Sequence, residues 1–487
     1  MLRYLVGMTH FRRMVGCMGA GAVVLQLGAA QAARSPEPRP EGLQAGHRNP
    51  WVQPDGPAER VKGDMTVLEG RLLYEDHRVV ARHGARFDLD GRPSKSRKNR
   101  PDRRADYLGA DFMVVEVFER DARNTRDGTC RRTAFVGRAT VQSDGTFSIP
   151  VPVRDPCVAE ANEPARYLIQ ATTRHCDADV CVQIGRTPLS PYVLWFGRDT
   201  PLVVGPEGRQ ANTLLFTPDG APDQNTISVA ANHFASLADT VQAVHVEAGV
   251  PFRQETYGPV RVRYPSIWAD GRGTSAGLID INNSGWPRGN LMMHEYAHIV
   301  HRRAWGGDYA GFPAPIQPWN GKAHSGETPF IAFKEGWATF MTSYVTGRCF
   351  REGYDERDDL VSIPRGTNGL QYPQNHQRAL CDWVDDHADH RVGTAVGDRV
   401  HTELLELWRI VDETDDRVGE YAGHDPVKQG LDMCDVVEVA LSTRGGSEEH
   451  IRDLYGLLET NDIWCPRLTD RFASLPVVVE SEPVSEL

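Results

Sequence analysis

Leu291-Met-Met-His-Glu-Tyr-Ala-His-Ile-Val300 is the stretch on which the reading of this chain turns. His294 and His298 are four apart, so on a helix their imidazoles project from one face on successive turns and can share a metal ion. Glu295 falls about 100° further round at 3.6 residues per turn. It is poorly placed as a third ligand but can reach a water on that metal, which is the mechanical sense of H-E-x-x-H. Met293, Ala297 and Val300 form a separate apolar stripe, so the helix can bury one side and present the histidines from another. Two ordinary helix histidines give the same bare pattern, and the rest of the chain has to supply the context.

A zinc site that does chemistry has three protein ligands and an open position for water. The helical pattern from Phe330 to Val345 contains Lys334-Glu335-Gly336-Trp337-Ala338, with 36 residues between His298 and Glu335. Glu335 is the expected third ligand. Small Gly336 and Ala338 are expected to let this helix pack closely on the first. Glu327, in a polar Pro/Gly-rich loop, is the competing donor. The histidine-only pattern HExxHxxGxxH is absent, since Ala304 stands at its last position. His301 is read as a supporting or solvent-facing side chain, not a ligand.

HEYAH (294 to 298) followed by a helix containing EGWATF (335 to 340) resembles the gluzincin metallopeptidases. These share the HExxH-plus-downstream-Glu arrangement and include thermolysin-like proteases, aminopeptidases and bacterial collagenases. The resemblance covers roughly residues 220 to 470. It implies His294, His298 and Glu335 as ligands of one Zn2+ per chain, Glu295 as general base, and a protein or peptide substrate. It further implies that the strand within Ala276 to Asn283 is a sheet edge that pairs with extended substrate. The late helix near Asn375 to Asp386 would carry or adjoin a group that stabilises the oxyanion. His376 is the first candidate, with Tyr344 and Tyr372 behind it. Two departures keep the chain from any single family: the spacing to Glu335 is long, and Thr339 stands where thermolysin-like enzymes place an acid.

Outward from this centre the chain divides by composition. Thr217 to Asn225 is a polar Pro/Gly stretch, and Ile227 to Ala248 then carries apolar residues at helical spacing. Strand candidates follow at Val260 to Tyr264 and Gly277 to Asn282, then mainly helices. Residues 217–470 are thus expected to form an α+β zincin-like metallopeptidase domain, mainly helical towards the C-terminus, with 471–487 a tail. From 62 to 216 the pattern is short strands between turns, among them Thr66 to Tyr74, Phe112 to Glu119, Phe135 to Gln142, Thr146 to Val153, Tyr167 to Thr173 and Tyr192 to Phe196. Ser143-Asp144-Gly145 reads as a hairpin turn. An all-β sandwich is expected, and its cadence resembles the transthyretin-like and carboxypeptidase-regulatory-like modules of exported proteins. The expected whole is multidomain.

The N-terminus reads as an export signal over 1–32: Arg3, Arg12 and Arg13, an apolar run from Met14 to Ala29, then Ala30-Gln31-Ala32 as a small-x-small cleavage pattern. Cys17 follows Met-Val-Gly, a poor lipid-anchor motif. Residues 33–61 are a Pro/Gly-rich lead-in, and no later stretch is apolar enough to span a membrane. Nine cysteines less Cys17 leave eight, four early (Cys130, Cys157, Cys176, Cys181) and four late (Cys349, Cys381, Cys434, Cys465). Without any Cys-x-x-Cys pair, this suggests two disulfides in each half of an exported, extracellular or periplasmic protein, with the CDADVC segment the easiest local pair.

A net charge of −12 argues against a general nucleic-acid binder. The basic run from Arg92 to Arg104, with seven Lys or Arg and one acid, reads as a solvated loop. Calcium could be held at an acidic loop such as Asp88 to Asp90, although no EF-hand loop is present. The competing function, from another class, is a surface or adhesion protein whose sandwich binds a partner while a degenerate metal domain serves as scaffold. Against it, every residue the hydrolytic chemistry needs is intact, including the base.

Overall fold

The computed structural model describes residues 65–76, 86–87, 106–110, 112–120, 133–152, 166–196, 202–203, 212–215, 224–266, 272–282, 291–305, 328–350, 368–385, 400–416, 431–443 and 447–473. All of these fall in one compact unit, Pro54–Leu487. The stretch read as an export signal, the whole lead-in, the 92–104 run, Asp88 to Asp90, Glu327, Cys130, Cys157 and nearly all of the tail lie outside the described residues.

Three sheets organise the first half. One runs β13 (Asn212–Leu215), β1 (Met65–Asp76), β3 (Asp106–Gly109), β2 (Arg86–Phe87), with β6 (Thr146–Pro152) also on β1. A second runs β11 (Val193–Phe196), β7 (Arg166–Thr172), β4 (Val114–Arg120), β5 (Thr133–Thr140), with β12 (Leu202–Val203) also on β7. Alternate side chains are buried along strands of each: Phe147, Ile149 and Val151 of β6, and Val115 and Val117 of β4. That is the period-2 signature of strands with one face on a core, and these residues belong to one continuous apolar cluster.

The turn at Ser143-Asp144-Gly145 forms, with Asp144 Oδ1 accepting from Thr146 N at 2.9 Å and Gly145 at φ +84°. β5 and β6 leave it into different sheets instead of pairing as a hairpin. Turn residues dictate the chain reversal; the partners are chosen by where each apolar face is buried.

The third sheet runs β10 (Ser190–Pro191), β9 (Cys181–Thr187), β14 (Val260–Ser266), β16 (Leu278–Asn282), β15 (Arg272–Ser275), with β8 (Arg174–Cys176) also on β9. It crosses the boundary expected at 216/217, because β9 pairs in parallel with β14, Val182 opposite Val260 and Ile184 opposite Val262. Residues 181–185 are buried without alternation, as in a strand covered on both faces. Arg263 and Asp280 face each other across β14 and β16 in a two-pronged ion pair, with Nη2 to Oδ2 at 2.7 Å.

Helices follow: α1 (Gln224–Val241), continued by a π-helical turn at Gln242–Glu247, the short α2 (Gln254–Tyr257), α3 (Leu291–Ala304), α4 (Pro329–Val345), α5 (Pro373–Val384), α6 (Leu404–Asp416), α7 (Met433–Thr443), α8 (Glu448–Thr460) and α9 (Thr469–Ala473). Pro329 and Pro373 start α4 and α5 at first-turn positions where the missing N–H costs nothing. Three disulfides join Cys176–Cys181, Cys349–Cys381 and Cys434–Cys465. The second ties the end of α4 to α5. Such bonds persist in oxidising compartments. Among the described residues, no helix is long and apolar enough to cross a membrane.

Candidate metal centre

α3 carries His294, Glu295 and His298, and α4 packs against it with Glu335. The helix pair is held from outside the site. His245 Nδ1 bonds the Val250 carbonyl at 2.6 Å and so carries the hydrogen; its Nε2 then accepts from the Tyr296 hydroxyl at 2.8 Å. Buried Arg303 donates to the carbonyls of Ala276 and Gly258 at 2.8 Å each, and to that of Phe252. Trp305 Nε1 donates to the Val411 carbonyl at 2.8 Å. With these anchors the rotation of α3, and so the aim of its histidines, is set by four separate segments.

The donor atoms of His294, His298 and Glu335 all lie within 4.8 Å of one another. Glu335 Oε2 is 3.2 Å from His294 Nε2 and 3.5 Å from His298 Nε2. Ligand atoms about 2.1 Å from a shared four-coordinate ion stand roughly 3.4 Å apart, so these separations fit a metal. The imidazole rings are nearly perpendicular, centroids 4.8 Å apart. His294 is 20 % exposed against 8 % for His298 and 5 % for Glu335, so the group opens on the His294 side. Glu295 is buried on α3, next to His294 in sequence.

Electrostatics favour the ligand state of these groups. Burial pushes the His298 pKa down, only partly opposed by the Glu335 carboxylate. Burial alone would raise the Glu335 pKa; His298, His294 and Lys334 outweigh it and hold this carboxyl well below the usual carboxylate range. A neutral imidazole and an ionised carboxylate are what a divalent cation requires.

Other expected residues fall elsewhere. His376 is fully buried beneath α4, its Nε2 donating to the Leu370 carbonyl at 2.9 Å and its ring 5.7 Å from that of Phe333. A side chain so enclosed cannot meet a substrate oxyanion, which removes it from that role. Burial lowers its pKa to about 4. Tyr344 stands nine positions along α4 from Glu335, half a revolution round, packed on Phe340 and Phe350. Tyr372 is buried at the N-terminal boundary of α5.

His301 is neither a ligand nor solvent-facing: it is fully buried among Trp305, Phe333 and Trp337. Gly336 gives close approach to α5 and not to α3, since a Cβ there would stand 2.7 Å from the Pro373 carbonyl oxygen and against His376. Thr339 donates back to the Glu335 carbonyl at 2.9 Å. The strand expected at the sheet edge, β16, lies between β14 and β15, and β15 holds that edge among the described residues. Ala276-Gly277 turns the chain so that short β15 covers β16. β15 also lies against α3.

Sequence reasoning missed Lys334, whose Nζ is 3.0 Å from Glu335 Oε1. Its place beside Glu335 in sequence was the only signal. Nothing local marked His245, 49 residues before His294.

No family model matches the chain, and comparison with curated proteins finds no match. Among solved structures, a 9R-lipoxygenase from Cyanothece PCC8801 is similar at 13 % identity and TM-score 0.15, over 38 % of this chain and 24 % of that one. The chain therefore spans about a quarter of that enzyme's length, and a likeness this slight carries no argument about fold or chemistry.

Proposed function

We propose that this chain is an exported zinc peptidase of gluzincin type, in which His294, His298 and Glu335 hold the metal and Glu295 is the general base. The observation that carries the reading is the convergence of two imidazoles and one carboxylate from separate helices, with a second glutamate on the turn that bears the histidines. Two nitrogen ligands and one carboxylate oxygen are a common donor set of catalytic zinc, and they leave a fourth position open. A zinc ion held there lowers the pKa of a water toward ~7 and polarises the scissile carbonyl.

The chain's own residues do the rest. Glu295 takes the proton from the attacking water and delivers it to the leaving nitrogen. An extended substrate backbone pairs with β15, the edge strand beside α3, through main-chain hydrogen bonds. Access is from the His294 side. The disulfides and the N-terminal signal pattern support export.

The test is Glu295→Gln. Bound zinc should stay stoichiometric while casein or gelatin hydrolysis falls by at least about 10²–10⁴-fold, the range of general acid–base catalysis. Chelator should abolish wild-type hydrolysis. A Gln variant that digests casein at the wild-type rate removes Glu295 from the mechanism.

A further inference from the structure

We propose that Lys334 is a positioning residue that restricts Glu335 to one-oxygen donation, an inference that rests on the zinc reading above. The two oxygens of Glu335 have different company. Oε2 faces both histidine Nε2 atoms, at 3.2 and 3.5 Å, whereas Oε1 is 3.0 Å from Lys334 Nζ. A lysine that merely filled the place of a cation would contact Oε2 and sit between the rings. Lys334 instead takes the other oxygen.

This division matters because a carboxylate can give a metal one oxygen or two. Glu335 is nearly fully buried, so its outer oxygen has little water to solvate it. Left without a partner, that oxygen gains most by swinging onto the ion, where it fills the position that an attacking water needs. A charge-assisted bond from Lys334 gives it a competing partner and fixes the carboxylate plane. Outer hydrogen bonds of this kind orient metal ligands generally, and their loss costs activity or affinity about 10–100-fold. Lys334 suits the task because it is the neighbour of the ligand on α4, and its side chain is a quarter exposed, reaching Oε1 from the solvent side.

The experiment compares wild type, Lys334→Met and Lys334→Arg, each loaded with cobalt in place of zinc. Wild type and Lys334→Arg should show the intense visible absorption of four-coordinate cobalt. Lys334→Met should show the weaker absorption of a higher-coordinate ion, with kcat for a peptide substrate down about 10–100-fold and KM little changed. Metal-free melting curves check the fold, and Lys334→Ala repeats the measurement if the Met variant folds poorly. A wild-type cobalt spectrum in a folded Lys334→Met, or in Lys334→Ala where the Met variant folds poorly, overturns the role of Lys334 while leaving the peptidase reading intact. Failure of wild type itself to take up one metal ion sinks both.

Discussion

Two faces of α4, one residue apart in sequence, carry opposite kinds of interaction. Glu335 meets His294, His298 and Lys334 through polar side-chain atoms at 3.0–3.5 Å. Gly336, about 100° further round, brings backbone against backbone: its Cα side faces the Pro373 carbonyl, the His376 Cβ and the Gln377 nitrogen. The first face is defined by where a rotatable carboxylate points. The second is defined by the absence of a side chain. Changes on the first should therefore cost metal chemistry and spare the fold, and changes on the second should do the reverse.

The largest effect expected is from Glu335→Ala. Zinc affinity should fall by more than the ~100-fold that loss of an outer partner costs, while the metal-free chain keeps a cooperative melting transition, at a lower temperature because the ion pairs with His298, His294 and Lys334 are lost. Equilibrium dialysis and calorimetry check both. A variant that still binds zinc as tightly as wild type breaks the comparison.

Acid should attack the other face. His376 titrates at about 4 in the folded chain, where burial disfavours its charged form, and near 6.5 when unfolded. Between those values the unfolded state holds a proton that the folded state does not, so stability falls as pH drops from 6.5 to 4, by up to about 3 kcal/mol from this residue. Urea midpoints measured across that window should lose part of their slope in His376→Gln, whose amide can still donate to the Leu370 carbonyl. An unchanged slope would place the acid sensitivity elsewhere.

Gly336→Ala comes next. The added methyl must displace α5, costing about 1–3 kcal/mol as overpacking does, read as a lower melting temperature. The zinc affinity of the folded variant should stay near wild type. If affinity drops as well, the two faces are coupled through the tilt of α4. Thr339→Ala is the smallest change. It removes only a bond back to the Glu335 carbonyl, so stability should shift by no more than ~0.5 kcal/mol and affinity should hold. A marked loss of metal would mean that this hydroxyl helps aim the ligand.

What could be read directly was whatever repeats over one or two helical turns or a few strand residues. The i, i+4 histidines, Glu295 beside them, and Glu335 within an apolar helical run are all local patterns, and the structure brings the two histidines and Glu335 together. The local CDADVC pair was equally open, since its cysteines are only five positions apart in sequence. Errors arose where a local reading had to choose a distant partner. β6 follows its turn into another sheet from β5. His376 looks in sequence like a residue free to reach substrate, yet α4 covers it. Gly336 was assigned to the wrong helix for the same reason: a missing Cβ announces close contact but not with what.

Residue chemistry and spacing by themselves picked out the His294, His298 and Glu335 group and the CDADVC cysteine pair, because those depend on atoms within a turn or on residues close in sequence. Tertiary structure alone decided that β9 joins a sheet across a polar linker, that β15 and not β16 is the edge, and that Lys334 reaches the outer oxygen of Glu335. β9 pairs with a strand more than seventy residues away, and the other two, though local in sequence, depend on how α3 packs against β15 and α4, so no single stretch of the chain contains the information that settles them.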